Sequence, residues 1–399
     1  MLLVSIPTPR AQARTLVVGR DAETLAETLA AARDGDRVQV PEGTWRGPVR
    51  IDARLTIEGP GTIDGGGAGT VVTVAAAGVV LRRLTIQHGG ANLSRRDACV
   101  YAEPTARGVT IEDNQVRDCA FGIWIHQTPE ARVLDNRVTG RAEARPTDRG
   151  NGIHLFDADG VLVRGNEVRD SRDGIYVSAT DDSVFERNRV VGQRYGVHYM
   201  YSYRNTLRGN VANHNIGGFA LMESRDLLVE DNVATDNERV GLLFRDAQDC
   251  RISGNRLERN GQGMFFFSST DNVIEGNQLV ANDIGAKIWA GSLRNRVVGN
   301  LFSANRQQVF FVGARDLVWG ESGRGNRWSD YVGWDQDGDG VGDRPHRVDS
   351  FTATMIHRYP SAVLLLRSPA MELLTHLEAR VPLLRVPTVV DRAPLVGGS

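Results

Sequence analysis

Gly165-Asn166-Glu167-Val168-Arg169-Asp170-Ser171-Arg172-Asp173-Gly174-Ile175-Tyr176-Val177-Ser178 is followed 22 residues later by Arg187-Asn188-Arg189-Val190-Val191-Gly192-Gln193-Arg194-Tyr195-Gly196-Val197-His198-Tyr199-Met200. Asparagine, glycine and the apolar positions fall in the same places. Working outward, the asparagine recurs at Asn114, Asn136, Asn166, Asn188, Asn210, Asn232, Asn255, Asn277 and Asn300, at intervals of 22 or 23 residues with one gap of 30. A fixed period of this size marks a solenoid. Outside the long gap, glycine follows each asparagine after about eight residues, so each unit reads turn, strand, turn, strand.

Apolar residues alternate after each glycine, as in Ile123 and Ile125, Ile175 and Val177, or Phe219 and Leu221. Such alternation marks a half-buried strand, and a unit this short buries a core only by stacking on its neighbours. The expected fold is therefore all-β, a parallel β-helix. Asparagine suits its turns because the short amide tolerates a left-handed backbone and can bond the equivalent amide one rung away. The asparagine column is read as structural.

If the first and third residues after each glycine point inward, the second and fourth point outward in two columns. One reads Trp124, His154, Tyr176, His198, Ala220, Leu243, Phe265, Lys287; the other reads His126, Phe156, Ser178, Met200, Met222, Arg245, Phe267, Trp289. Cys99 fills an earlier glycine slot and adds Tyr101 and Glu103. A contiguous aromatic, methionine and histidine stripe on an outer face suggests a contact surface. Rungs lie about 4.8 Å apart and same-face residues of one strand about 6.6 Å apart. Met200 and Met222 are thus expected as neighbours, with His198 on the same face. Thioether and imidazole donors together favour Cu(I) over hard cations. His154, His126 and His214 are secondary candidates. The competing reading is an interface to another protein, with methionine as the adaptable contact.

At 399 residues and 41% hydrophobic, the chain can bury one long core without a second domain. Its net charge of −2, and the lack of basic residues interleaved with aromatics, exclude a nucleic-acid partner by pattern. Lys287 is the only lysine, which reflects base composition more than function. Cys99, Cys119 and Cys250 show no CxxC pairing and are read as small buried thiols, the alternative being that Cys99 and Cys119, near one another in the early rungs, pair in an oxidising compartment.

Residues 1–13 read as a residual export-signal segment, with Ala11-Gln12-Ala13 resembling a cleavage site. A short helix over 21–33 is expected to cap the first rung. The β-helix is expected to span 14–325, with an insertion near 141–149 just before His154. Residues 326–360 form an Asp/Gly-rich loop region, in which Asp335, Asp337, Asp339 and Asp343 are candidate Ca(II) ligands. They match the first half of an EF-hand loop, but His346 stands where the bidentate glutamate belongs. Over 361–399 an amphipathic helix precedes an extended tail broken by Pro382, Pro387 and Pro394. This end is expected to dock onto a partner, the other possibility being a seal on the open solenoid.

The run Tyr195-Gly196-Val197-His198-Tyr199-Met200-Tyr201-Ser202, then Phe219-Ala220-Leu221-Met222-Glu223-Ser224, then Trp328-Ser329-Asp330-Tyr331 with the aspartate-glycine block over 325–345, closely resembles the NosD family of periplasmic copper-processing proteins, maturation factors for nitrous-oxide reductase. The resemblance covers nearly the whole chain. It implies a right-handed β-helix in the periplasm, working with the membrane and ATPase subunits of an ABC-type transporter. It further implies that copper arrives from a membrane-anchored chaperone and goes to the reductase's copper centres. On this chain the copper role would fall on His198, Met200 and Met222, and no residue need break bonds, so no enzyme is implied. The alternative is a carbohydrate-binding or carbohydrate-active β-helix of lyase or epimerase type. Its chemistry needs carboxylates or a base on the face, and the outward columns offer only Glu103 and Arg245.

Overall fold

The computed structural model describes residues 13–289, 291–312, 317–321, 323–349, 359–365, 368–380 and 387–396. The export-signal reading of residues 1–12 and the tail over 381–386 lie outside them. Between its ends, each turn of the chain delivers three short strands, one to each of three parallel sheets of 14, 12 and 13 strands. This is a right-handed parallel β-helix. Its core is a set of in-register columns: Val100, Ile123, Ile153, Ile175, Val197, Phe219 and Leu242 stand directly above one another. All are fully buried or nearly so.

The asparagines hold the corner by a continuous amide ladder. The side-chain N–H of Asn188 donates to Asn210 Oδ1 at 2.9 Å and to the Val163 carbonyl at 3.0 Å, while Asn210 Oδ1 also accepts from the Asn188 backbone N–H at 3.0 Å. The same pattern runs from Asn114 to Asn326. The left-handed residue is not the asparagine. It is the residue before it, such as Asp113, Arg187, Gly209 or Asp231, with φ between 52° and 61°. The asparagine is turned inward, where its amide must be paired and its backbone stays ordinary. A second ladder, Asn215 to Asn237, Asn260, Asn282 and Asn305, braces the corner that enters the longest strands.

Helix Leu25–Ala31 closes the first rung. Its Thr24 and Glu27 form a capping box, the Glu27 N–H donating to Thr24 Oγ1 and the Thr24 N–H to Glu27 Oε2. Two cysteines depart from the buried-thiol reading: Cys99 and Cys119, on adjacent rungs, are joined as a disulfide. Stacking brought their slots together, which spacing alone left open. Cys250 remains a buried thiol, pushed by burial up to about 12 and so inert as a nucleophile.

The solenoid's last strands are Val318–Trp319 and Arg327–Trp328. Beyond them the chain turns back. Strand Pro387–Asp391 pairs antiparallel with His346–Asp349, and Leu395 donates to the Asn326 carbonyl. Asp391, fully buried, accepts from Asn326 and from Trp328 Nε1 at 2.9 Å. Residues 387–396 therefore lie across the open end, the sealing role that the sequence offered beside docking onto a partner. Helix Pro369–Arg380 lies between, with Leu373 and Leu377 exposed.

Candidate functional site

The longest strands, up to six residues each, make the 12-stranded sheet, and its outer surface carries the two columns. Registers place Trp124, His154, Tyr176, His198, Ala220 and Leu243 in one line and His126, Phe156, Ser178, Met200, Met222 and Arg245 in the other. Met200 and Met222 are direct partners on adjacent strands. Met222 is buried and Met200 half-buried.

Rings pack against one another along the first column. Trp124 stacks on His154 with centroids 4.0 Å apart, His154 meets Tyr176 at 4.8 Å, and Tyr176 meets His198 edge-on at 5.1 Å. His126 sits between Tyr101 and Phe156 at 5.9 and 5.6 Å. Such an environment disfavours imidazolium. Burial, with the Arg96 charge nearby, pushes His154 down to about 3 and lowers His126 in the same direction. The Asn151 side-chain amide lies 3.0 Å from His154 Nδ1.

His198 differs from its column mates. It is 7% exposed, and its Nδ1 lies 2.9 Å from Asp173 Oδ2. Asp173, itself 1% exposed, takes a fork of hydrogen bonds from Arg194: Nε to Oδ1 at 2.8 Å and Nη2 to Oδ2 at 2.6 Å. Burial alone would raise the Asp173 carboxyl, but bonds from His198 and Arg194 outweigh it and hold the group below its ordinary value. The other imidazole nitrogen, His198 Nε2, is buried and has no hydrogen-bond partner among the described residues. Ala220 stands in register with His198 on the next rung, so the smallest outward side chain of the column faces the ring. One nitrogen donor and two thioethers thus share one patch, a set suited to a soft monovalent cation.

The remaining candidates lie elsewhere. His126 and His154 are three and two rungs back along the face. His214 is exposed at a left-handed corner, φ 54°, at the opposite end of its rung from Met222. Among the acidic candidates, oxygens of Asp335, Asp337 and Asp339 gather within 4.8 Å of one another. Asp335 accepts from the N–H groups of Gly338 and Gly340 at 2.7 and 2.9 Å. Asp343 stands apart from this trio and accepts from the Gln336 N–H. His346 turns away from the loop and packs on Trp328 at 4.7 Å, so the twelfth position of an EF-hand is not supplied.

Asp173 and Arg194 were not picked out from the sequence. Asp173 precedes the glycine of its strand, a slot filled by Tyr195, Gly217, Val240 and Gln262 on the following rungs. An acid at the mouth of a buried strand was the available signal.

Comparison with known proteins bears on this arrangement. A family model described as periplasmic copper-binding protein (NosD) matches residues 134–333, and one described as right handed beta helix region matches residues 50–168. The chain is 37% identical over 385 residues to a probable ABC transporter binding protein NosD of Pseudomonas aeruginosa, covering 92% of this chain and 90% of the relative. It is 34% identical over 387 residues to the protein of the same name in Stutzerimonas stutzeri, covering 92% and 89%. Among solved structures, the receptor-binding tailspike of bacteriophage Det7 superposes with a TM-score of 0.59 at 12% identity, covering 78% of this chain and 74% of the tailspike. A family 28 exopolygalacturonase of Yersinia enterocolitica gives 0.57 at 10% identity, covering 77% and 78%. At these identities the structural likeness speaks to the fold alone.

Proposed function

This chain belongs to the NosD family of periplasmic copper-binding proteins, and from that premise we propose that it is a periplasmic accessory protein that takes Cu(I) as cargo on the outward face at His198, Met200 and Met222. It acts with an ABC-type transporter, in keeping with the names its relatives carry. It receives the ion from a membrane-anchored chaperone and supports assembly of the copper centres of nitrous-oxide reductase. The observation that carries this reading is His198 Nε2, a buried nitrogen without a partner among the described residues, on the face that presents the Met200 and Met222 pair. Burying a polar atom unpaired is costly, and a soft cation in that place would remove the cost.

Few and soft ligands on an open face favour exchange over storage, because an incoming donor can displace one thioether without unfolding the scaffold. His126 and His154, farther along the stripe, serve as secondary contacts during loading, and His214 as a remote one. The acidic trio Asp335, Asp337 and Asp339 is a separate Ca(II) position in the loop beyond the solenoid, with Asp343 a more distant candidate.

The test is competition of purified protein against a calibrated Cu(I) chelator, alongside His198→Ala, Met200→Ala and Met222→Ala. Binding that is lost in the variants supports the reading, and binding unchanged by all three refutes the site. A carbohydrate-processing role gains nothing from the geometry. Glu103 is tied to Arg50 by two hydrogen bonds, and Asp173 is buried and bonded by Arg194 and His198, so neither carboxylate is a free acid or base for a sugar.

A further inference from the structure

Two histidines of the same outward column are held at the same ring atom by partners of opposite hydrogen-bonding character. Asn151 and Asp173 occupy equivalent slots on successive rungs, each two residues before an in-register isoleucine, Ile153 and Ile175. At His154 the partner of Nδ1 is the Asn151 side-chain NH2, at 3.0 Å. An amide NH2 only donates, so His154 Nδ1 accepts and the ring proton sits on Nε2. At His198 the partner of Nδ1 is the Asp173 carboxylate, at 2.9 Å. A carboxylate only accepts, so His198 Nδ1 carries the proton and Nε2 keeps its lone pair. Arg194 Nη2 also lies 3.4 Å from His198 Nδ1, a longer contact than the one from that nitrogen to the Asp173 carboxylate. The buried state of His198 Nε2 points the same way, since a proton there would be a donor with no acceptor among the described residues.

We propose that Asp173 and Asn151 are positioning residues that set opposite tautomers on His198 and His154, and so make His198, ahead of His154, the primary nitrogen donor of the stripe for a soft cation. This rests on the copper reading above, and it deepens it by stating how one histidine among several on the face is selected. Metal-bound imidazoles commonly give their second N–H to a carboxylate, which fixes the ring and makes the ligating nitrogen more basic. Arg194 has a defined part. Its fork satisfies Asp173 from one side and leaves the Oδ2 edge facing His198 in a fixed orientation.

The test reads tautomers in the copper-free protein by long-range nitrogen–proton NMR on histidine-labelled samples, with His154→Phe and His198→Phe to assign the two rings. The expected result is Nδ1–H for His198 and Nε2–H for His154. Asp173→Asn presents an NH2 toward His198 and should invert its tautomer, and Cu(I) affinity should fall about 10- to 100-fold. Asn151→Asp should invert His154 the other way, so the two changes check one another even if one variant folds poorly. Arg194→Gln, which leaves the carboxylate in place, should keep Nδ1–H on His198. Identical tautomers on both rings, or an Asp173→Asn protein whose His198 is unchanged, would overturn the proposal whatever the copper result. Inverted tautomers in a protein that binds no Cu(I) would instead uphold the positioning and refute the copper site.

Discussion

The Asp391 carboxylate accepts a 2.6 Å hydrogen bond from the backbone N–H of Asn326, the place that the next asparagine's amide oxygen holds at every earlier rung of the ladder. The same oxygen accepts from Asn326 Nδ2 at 3.2 Å and Trp328 Nε1 at 2.9 Å. A carboxylate has no N–H to pass on, so it terminates the series. Asp391→Ala would leave the Asn326 backbone N–H and Trp328 Nε1 unpaired, while Asn326 Nδ2 keeps its bond to the Val297 carbonyl, and each orphaned donor costs about 1–3 kcal/mol. We expect a loss of about 3 kcal/mol or more, read by urea denaturation. Truncation before residue 387 should do the same, whereas an intact midpoint after either change would show that the seal bears no stability.

Tyr199 moves stability the other way. It fills an inward slot where neighbouring rungs place Val177 and Leu221, and its hydroxyl is buried without a partner among the described residues. Tyr199→Phe keeps the ring against Phe185, 5.4 Å away, and removes the unpaired group. Stabilisation of about 1 kcal/mol is expected. A drop in melting temperature would mean that the hydroxyl is satisfied in solution.

The rungs, the inward columns and both outward columns were legible because a strand's side-chain period is fixed and the 22-residue repeat transmits it from rung to rung. Met200 beside Met222 follows from that arithmetic alone. What the repeat could not reveal depends on side-chain direction within one rung. Asp173 bonds His198 across 25 positions, and nothing in the spacing says that the carboxylate leans toward the imidazole while Arg194 closes it from behind. The corner was misassigned for a related reason: periodicity locates a turn but not which of its residues goes left-handed, and Asp113 or Gly209 takes that role so that asparagine can face inward. The ending of the chain was least legible, because Asp391 meets Asn326 over 65 positions outside any repeat.

Acid should unmask His154. An unfolded histidine titrates near 6.5, and burial holds the native group at about 3. Below pH 6.5 the unfolded chain therefore binds a proton that the native protein refuses, and stability is lost progressively as pH falls from about 6.5 to about 3. His154→Phe preserves the stack on Trp124 and removes this linkage. Denaturation midpoints of the two proteins at pH 7 and pH 4.5 check it: the variant should gain on the wild type at the lower pH, and parallel midpoints would contradict the buried neutral histidine.

Calcium should act on the loop and leave the face alone. The oxygens of Asp335, Asp337 and Asp339 lie within 4.8 Å of one another, and their mutual repulsion is relieved by a divalent cation. Calcium titration is expected to raise the melting temperature of the wild type, and Asp337→Ala should abolish the effect. Equal responses in both proteins would place calcium elsewhere.

The methionine pair gives the sharpest division between ligation and packing. Met200 and Met222 face each other on adjacent strands, bounded by Ser178 on one side and Arg245 on the other. Replacing either by leucine keeps an apolar side chain of similar volume, which core-like positions tolerate at small cost, but removes a thioether that leucine cannot imitate. If sulfur binds copper, Met200→Leu and Met222→Leu should each weaken Cu(I) by about tenfold, near 1.4 kcal/mol, with melting temperatures little changed. The double variant should be weaker than either. His214→Ala, at the far end of its rung, should weaken Cu(I) less than either methionine change. Leucine variants that hold Cu(I) as tightly as the wild type would mean that the pair is an apolar contact for another protein, and the stripe would then be an interface whose copper chemistry lies with its partner.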